Sequence, residues 1–222
     1  MNFLVLDLAT APIDGAEGFI EEPSAPANYR DELKIAEYIK AAKDKALAKA
    51  ALDPDLGRIS AIGMMKPEEA DLGPVIWLCK DEAEERQALQ LLVATVDASS
   101  QRYRGLIGYN SHVFDWPFLI RRAQYLGVSF PLDIDRYKSA HVDLMDRLTH
   151  HGKLTARSLG FYVRRLGWTD LHKTLSGAEE ALAPSRGQWD ELTESVEHDV
   201  IAACRLAQWM GVLPRDAKDV AA

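Results

Sequence analysis

The sequence predicts a mixed α/β fold in a single domain covering residues 1–222. Short apolar runs typical of buried strands stand in the first half of the chain, and segments with helical spacing dominate the second half. An apolar fraction of 47% and a charged fraction of 27% suit a folded domain with a sizeable core. The order is three early strands, a helix, a strand and then mostly helices, which predicts a mixed sheet whose first strands are antiparallel.

The elements of the N-terminal half are assigned from their local patterns. Residues 2–8 are an apolar run with an acid near its end, which indicates a buried strand. Prolines and glycines predict a loop over 11–28, and apolar residues at helical spacing predict a helix over 29–52. Two further strands follow at 58–65 and 74–79, separated by a charged turn.

The remainder of the chain is predicted to hold one more strand and five helices. The short apolar stretch 105–109 is the strand. The helical segments are 82–98, 114–125, 142–148, 155–166 and 188–210. No internal repeat interrupts them, and no run approaches the ~18–20 apolar residues that a membrane span needs.

Charge and cysteine content narrow the possible functions. The formal net charge is −8, which argues weakly against binding nucleic acid through bulk charge. An acidic site can nevertheless bind a phosphate backbone through divalent cations that it holds. Cys79 and Cys204 have no metal-type spacing, so neither a zinc site nor a disulfide framework is indicated. The first residues lack the features of a signal peptide, and we expect a cytoplasmic protein that does not bind membranes.

Three acidic residues stand where the surrounding pattern predicts an apolar side chain. Asp7 ends the first strand, Asp115 lies in a hydrophobic helix start, and Asp199 interrupts the apolar face of the last helix. An isolated buried carboxylate is costly, or changes its pKa, unless a cation accompanies it. A shared divalent cation would satisfy all three, and hard oxygen ligands favour Mg²⁺ or Mn²⁺ over zinc.

Each acid also has an ordinary structural interpretation. Asp7 could cap a neighbouring helix from the end of its strand. Asp115 could be a first-turn acid stabilised by the helix dipole. Asp199 could pair with His198 or Arg205 on the helix surface. The metal interpretation depends on the three acids occurring together, in this order along the chain.

The segments that contain these acids resemble the motifs of the DEDD superfamily of exonucleases. Residues 3–10 resemble its first motif, in which an aspartate and a glutamate two positions later bind metal. Residues 114–115 resemble the second motif, and residues 195–200 resemble the third. Each motif alone is weakly specific, whereas the ordered set is strongly so.

More specifically, the chain is similar to exonucleases allied to the proofreading domain of family-B DNA polymerases, including stand-alone phage and prophage members. The segments 26–58, 141–146 and 173–177 also fit that group, so the similarity spans nearly the whole chain. It implies an RNase H-like fold, with a mixed five-stranded sheet flanked by helices. It also implies that residues from about 11 to 55 are a helical insertion after the first strand, covering the sheet or the substrate groove.

The resemblance implies a 3′–5′ exonuclease that removes nucleoside 5′-monophosphates from DNA 3′ ends. Two Mg²⁺ or Mn²⁺ ions, ~4 Å apart, would activate a water and stabilise the leaving 3′-oxygen. Asp7 would bridge both ions, Asp199 would complete the first site, and Asp115 would hold the second ion largely through water. The substrate would be DNA with a single-stranded 3′ end, and replication or recombination proteins are candidate partners.

Two positions depart from the family pattern. Ala9 stands where the family has its metal-binding glutamate, and Ser195 and Glu194 stand at the two positions where members have a tyrosine or a histidine. Ser195 shares a helical face with Asp199 and could position a water, but a hydroxyl is a poor base at neutral pH. Histidine is a common base near neutral pH. Adjacent helical residues point about 100° apart, however, so His198 is a candidate for either a catalytic or a supporting role.

Ala9 predicts severely reduced hydrolysis with substrate binding largely kept, because alanine offers no ligand atom. An engineered glutamate-to-alanine change is the favoured explanation. A naturally degenerate member is the alternative, and the second departure at Ser195 supports it. Nucleotide release by the Ala9→Glu variant with Mn²⁺ distinguishes them, since release that stays at background favours natural degeneracy.

Substrate contacts are expected from residues near the motifs. Asn110 and Trp116 flank the second motif and could touch the terminal sugar or base, since aromatic stacking is worth ~1–3 kcal/mol per base. Lys153, Arg157 or Lys173 could contact phosphates. Trp116 could equally be a core aromatic, and each lysine could be a solvated surface charge.

Two other functions stay open. A non-catalytic nucleic-acid-binding module would bind 3′ single strands without needing metal. A phosphohydrolase acting on nucleotides or very short RNA would prefer dinucleotides and would have a closed pocket. A pure scaffold would leave the three acids unexplained. The sequence contains no P-loop, no G-x-S-x-G elbow and no H-E-x-x-H zinc helix.

Overall fold

The computed structural model describes residues 2–98, 103–130, 139–171 and 173–214. The strands are β1 (Asn2–Pro12), β2 (Gly57–Met65), β3 (Val75–Leu78), β4 (Tyr103–Gly108) and β5 (Val142–Asp143). The helices are α1 (Glu32–Ala50), α2 (Glu82–Ala98), α3 (Asp115–Tyr125), α4 (Leu144–Leu148), α5 (Leu159–Arg165), α6 (Gly177–Leu182) and α7 (Trp189–Trp209). Short 3-10 turns lie at Ala16–Phe19, Pro67–Leu72 and Pro184–Arg186.

The five strands form one mixed sheet in the order β3-β2-β1-β4-β5, with the N-terminal strand at its centre. β1 pairs antiparallel with β2 and parallel with β4. β3 is antiparallel to β2, and β5 is parallel to β4. The predicted α/β class, the mixed five-stranded sheet flanked by helices and the antiparallel first strands are therefore confirmed.

The central strand separates two hydrophobic cores, because successive side chains of a strand point to opposite faces of the sheet. Leu4 and Leu6 face the core built with α2 and α3. Val5 and Ala9 face the core built with α7. Asp7 shares the alternation of Val5 and Ala9, so it stands on the α7 face of the sheet.

Helix α7 packs closely on the sheet because strand β2 has a glycine beneath it. A Cβ atom built on Gly63 would lie 2.5 Å from Val196 Cγ1 and 2.7 Å from Val200 Cγ2. A side chain at this position would therefore displace the helix. Since Asp199 is next to Val200 on α7, this close approach sets how near Asp199 stands to Asp7.

Helix α3 is fixed by a buried ion pair. Arg122 donates from Nε and from its terminal nitrogen to the two oxygens of Glu85 on α2, each at 2.8 Å. Glu85 is fully buried and also accepts the Ile59 N–H of β2 at 2.9 Å. These bidentate, charge-assisted bonds hold α2, α3 and β2 in one arrangement. They thereby position Asp115, the first residue of α3.

The prediction of a helix over 142–148 was wrong for its first two residues. Val142 pairs with Ile107 of β4, so this short segment forms the edge strand β5. Helix α4 begins only after Asp143, whose carboxylate accepts the N–H groups two and three residues later at 2.9 and 3.2 Å. An N-cap residue has extended geometry, which lets it end a strand and begin a helix at once.

Other boundaries also differ from the prediction. β1 continues to Pro12, into the segment predicted as loop, because it remains paired with β2. The predicted helix over 155–166 begins at Leu159, where Ser158 caps its N-terminus. Helix α6 was not predicted at all, although Ser176 and Glu179 form a capping box at its start.

The helix predicted after the first strand is present as α1, and its surface is mostly exposed. The predicted apolar stripe that contains Ile35 and Ile39 is half-buried, and Ala50 at the end of the helix is buried. α1 touches β1 and the 3-10 turn at Ala16–Phe19. Among the described residues, no helix has the length and apolar character needed to cross a membrane.

Candidate active site

Asp7 is an acid placed among apolar residues in the middle of the central strand. Burial raises its pKa well above the usual value, and the charges of Asp199 and Asp115 raise it further. Lys173 acts in the opposite direction, and Glu180 adds to the rise. Asp7 therefore lies within electrostatic range of charged groups from α3, α6, α7 and the segment before α6.

Asp115 approaches Asp7 from the N-terminus of α3 and is almost completely buried, with 3% of its surface exposed. Burial raises the pKa of Asp115 to about 7, and the charges of Asp143 and Asp199 contribute to the rise. Its own N–H and the N–H of Leu8 donate to it and partly oppose that effect. The bond from Leu8 places the Asp115 carboxyl beside the residue that follows Asp7.

Lys173 joins the C-terminal helix to α6 through two ion pairs. Its ammonium group contacts Asp199 Oδ2 and lies 2.8 Å from Glu180 Oε1. Both carboxylates are mostly buried, with 19% and 12% of their side chains exposed. Burial raises the pKa of Glu180, and the charge of Lys173 opposes that rise. Ser195 is fully buried one helical turn before Asp199.

Asp7, Asp115, Asp199 and Glu180 influence one another through their charges and are called the carboxylate cluster below. Lys173 is the cation that contacts two of them, Asp199 and Glu180. One ammonium cannot balance four ionised carboxylates. Burial and mutual repulsion therefore push protons onto the cluster, which is the cause of the raised pKa values of Asp7, Asp115 and Glu180. A bound cation would relieve the same imbalance.

A scan against family profiles matches residues 49–211, more than half of the chain, to the RNase_H superfamily under the heading RNase_H_2. The chain belongs to the RNase H superfamily. The matched range contains Asp115, Glu180 and Asp199, whereas Asp7 lies before it. The predicted RNase H-like fold is thus confirmed, and the cluster lies on the sheet of an RNase H-type domain.

A comparison with solved structures gives the same fold. The family B DNA polymerase from the hyperthermophilic archaeon Pyrobaculum calidifontis matches with a TM-score of 0.62 and 18% sequence identity. The match covers 95% of this RNase H-superfamily chain and 24% of the polymerase chain, so this chain corresponds to about a quarter of that protein. A search of curated protein sequences found no significant match.

The donor set fits a hard divalent cation in its chemistry, since it consists of carboxylate oxygens that burial deprives of water. Among the residues that the structure describes, no three or more His, Cys, Asp or Glu side chains are gathered as closely as the ligands of one ion. Lys173 instead bridges Asp199 and Glu180. The arrangement is that of a carboxylate site neutralised in part by an internal ammonium group.

Of the two interpretations of Trp116, the structure supports the core aromatic. Its side chain is fully buried in the core between the sheet and helices α2 and α3, so it has no surface on which a base could stack. Asn110 is half-buried in a left-handed turn with a φ of 60°, and its N–H donates to Asp143 Oδ1 at 3.0 Å. Asn110 therefore helps to form the turn that precedes α3.

Neither His198 nor Lys153 is placed at the carboxylate cluster. His198 points to another side of α7, and Lys153 is on the surface. His198 is on the side of α7 that also carries Arg205, and its charge adds to the Arg205 hydrogen bond in lowering the pKa of Asp170. Adjacent helical positions point in different directions, so this is not the side that bears Asp199. Lys153 is exposed in the segment after α4. Lys173 is the predicted phosphate-contacting lysine that the fold brings to the carboxylates.

Two acids that belong to this region were missed by sequence reasoning. Asp143 accepts four backbone N–H groups, from Asn110, His112, Met145 and Asp146, at 3.0, 3.0, 2.9 and 3.2 Å. Its oxygens are engaged by the backbone, so it orders the turn before α3 and does not compete for a cation. Glu180 could have been found from the capping box of α6, which would have defined the helix that presents it.

A cavity of about 690 Å³ lies between the end of β1 and helix α6. Its wall includes Ala11, Ala181, Arg58, Lys80 and Trp189, and none of the four carboxylates lines it. The Lys80 ammonium lies 5.9 Å from the centre of the Trp189 ring. The volume is within the range of small-molecule pockets, ~300–1,000 Å³.

Proposed function

We propose that this chain is a metal-dependent nuclease that acts as a 3′–5′ exonuclease on DNA and releases nucleoside 5′-monophosphates. The observation that supports this most strongly is that Asp115 and Asp199, from distant parts of the sequence, lie within electrostatic range of Asp7 on the central strand of an RNase H-type fold. The likeness to a family B DNA polymerase supports the fold required for this activity. The resemblance of the three motifs supports the reaction type.

The carboxylates of Asp7, Asp115 and Asp199 would hold the two Mg²⁺ or Mn²⁺ ions. When bound, the ions would supply charge neutralisation and an activated water for phosphodiester hydrolysis. Asp115 must be ionised for this role. The N–H donors of Leu8 and of Asp115 itself favour that ionised form by lowering its pKa. Ser195 would orient neighbouring groups, because a hydroxyl is a poor base at neutral pH.

The substrate strand would enter from the cavity beside α6. Arg58 and Lys80 are cations on its wall, and Trp189 offers an aromatic surface there. With a net charge of −8, the chain has little general attraction for DNA. Binding would therefore depend on the bound ions and on these few cations, which suits a single-stranded 3′ end. Replication or recombination proteins would be suitable partners for such an enzyme.

The test is a digestion of single-stranded DNA labelled at its 5′ end, with Mn²⁺ or Mg²⁺, by the unmodified chain and by its Ala9→Glu variant. The variant is expected to be much the faster, because it restores the carboxylate that Ala9 lacks. The expected product is a ladder of 5′-labelled fragments that shorten from the 3′ end, lost in EDTA and in Asp199→Asn. The same oligonucleotide labelled at the 3′ end should release labelled mononucleotide at once. Parallel RNA and duplex DNA substrates establish the preference. Internal cuts, or an Asp199→Asn rate equal to that of the unmodified chain, would contradict the proposal.

A second function, a binding module without catalysis, is favoured by one observation. Ala9 is buried and offers no oxygen at the position where the resembling family has a glutamate, and Ser195 replaces the family's tyrosine. This alternative predicts that the chain binds 3′ single strands equally well with and without divalent ions. It also predicts that nucleotide release by Ala9→Glu with Mn²⁺ stays at background.

A further inference from the structure

We propose that Glu180 on helix α6 supplies the fourth carboxylate of the metal site, in place of the side chain that Ala9 lacks. Lys173 would hold Glu180 in position until a divalent ion enters. This inference depends on the proposed function, because it assigns a further residue to the same site. It differs from the family pattern, in which the fourth carboxylate comes from the first strand.

Ala9 lies on the side of the sheet that α6 occupies. It follows Asp7 by two residues and so points to the same face of β1. It is buried, and it shares its hydrophobic core with Ala183, the residue that ends α6. Helix α6 packs against β1 directly. A carboxylate presented by α6 can therefore reach the neighbourhood that a longer side chain at position 9 would otherwise occupy.

Glu180 is mostly buried close to the other carboxylates, whereas its neighbour Glu179 is exposed to solvent. Only 12% of the Glu180 side chain is exposed, and its charge contributes to the raised pKa of Asp7. Glu179 is exposed and bonds to the backbone and hydroxyl of Ser176 in the capping box. Two adjacent glutamates on one short helix therefore have different functions, and Glu179 is a natural control.

The Lys173 ammonium shows that the cluster accepts a cation between α6 and α7. It contacts Asp199, a proposed metal ligand, and Glu180 at the same time. About a third of the Lys173 side chain is exposed (30%), so the ammonium can move into solvent when a divalent ion replaces it. A doubly charged ion neutralises the cluster better than one ammonium, which gives a reason for the exchange.

The experiment measures Mn²⁺ binding to the full chain by isothermal titration calorimetry, without substrate. Glu180→Gln is expected to bind Mn²⁺ at least about 10-fold more weakly than the unmodified chain, as changes around metal sites commonly do. Glu179→Gln makes the same charge change on the same helix, and glutamine can keep the capping box. It should bind within about 2-fold of the unmodified chain, given that a solvent-exposed charge has a weak effect.

A relocation variant keeps the test valid if Glu180→Gln folds poorly. Ala9→Glu/Glu180→Gln moves the carboxylate from α6 to β1 and should recover most of the lost Mn²⁺ affinity. Equal affinities of Glu180→Gln and the unmodified chain would overturn the inference if Asp199→Asn still weakens binding. If Asp199→Asn also leaves the affinity unchanged, the proposed function itself fails. The two failures are thereby distinguished.

Discussion

Asp115 is buried beside other acids, which raises its pKa to about 7. In the unfolded chain it would titrate near 3.9. The folded state thus binds the proton more tightly than the unfolded state does. The stabilisation from this protonation is complete below the unfolded pKa and is lost as the pH rises through about 7.

The metal-free protein should therefore become less stable as the pH is raised from 5 to 8, by up to about 1.4 kcal/mol per pH unit for each proton involved. Urea unfolding in EDTA at several pH values measures this. Asp115→Asn removes one titrating group and should reduce the slope, while Asp7 and Glu180, whose pKa values are also raised, keep part of it. A slope that is unchanged in Asp115→Asn would show that the dependence comes from other groups.

At the scale of single residues, the sequence identified Asp7, Asp115 and Asp199 because each interrupts an apolar pattern. Glu180 interrupts no such pattern, since it lies in a short polar helix, and only the tertiary approach of α6 to β1 brings it to the cluster. Trp116 was ambiguous for a related reason. A large aromatic beside a motif can face either the core or a ligand, and the packing of α3 decides which.

At the scale of elements, the position of Asp199 depends on the close approach of α7 to β2 at Gly63. Gly63→Ala adds a methyl group where Val196 and Val200 already lie too near, so the helix must move outwards. We expect a loss of about 1–3 kcal/mol in unfolding free energy, the usual effect of overpacking a core. Urea unfolding measures the loss, and Mn²⁺ titration should show weaker binding.

The matched control is Gly18→Ala, because a Cβ on Gly18 would meet nothing within 4 Å. This change should alter the stability by less than about 0.5 kcal/mol, as is typical of surface substitutions. If Gly63→Ala and Gly18→Ala lose the same unfolding free energy, close packing of α7 is not the reason for the loss in Gly63→Ala.

The buried pair of Arg122 and Glu85 makes a second prediction at this scale. Arg122→Met leaves the Glu85 carboxylate buried without its cation and should cost about 3–5 kcal/mol in unfolding free energy. Glu85→Gln/Arg122→Met should cost much less, because no charge stays buried and the amide oxygen can still accept the Ile59 N–H. Thermal or urea unfolding compares the single and the double variant. Equal losses of unfolding free energy would contradict the claim that the unpaired Glu85 charge causes the destabilisation.

Most elements could be predicted from the sequence because apolar periodicity is a local property. β2, β3, β4 and α7 were each placed to within about two residues of their bounds, which is the usual uncertainty of helix and strand ends. β5 could not be recognised, since two residues show no periodicity and pair only because β4 is beside them. The extension of β1 past Ala9 likewise depends on its pairing with β2 across a register shift.

At the scale of the whole molecule, an acidic chain with a net charge of −8 is proposed to act on a polyanion. Divalent ions bound between them would neutralise the acidic site of the protein and the phosphates of the DNA. Fluorescence anisotropy should therefore show that a labelled single-stranded DNA binds at least about 10-fold more tightly, or ~1.4 kcal/mol, with Ca²⁺ than with EDTA. Equal affinity in both buffers would favour the non-catalytic binding module.

The central claim is that Asp7, Asp115 and Asp199 converge to hold divalent cations. Anomalous X-ray scattering from crystals of the protein grown with Mn²⁺ tests it most directly. The account predicts an anomalous peak in contact with the Asp7 carboxylate and with Asp199 or Asp115. The absence of a peak at these residues in crystals saturated with Mn²⁺, or a peak bound only elsewhere on the molecule, would contradict it.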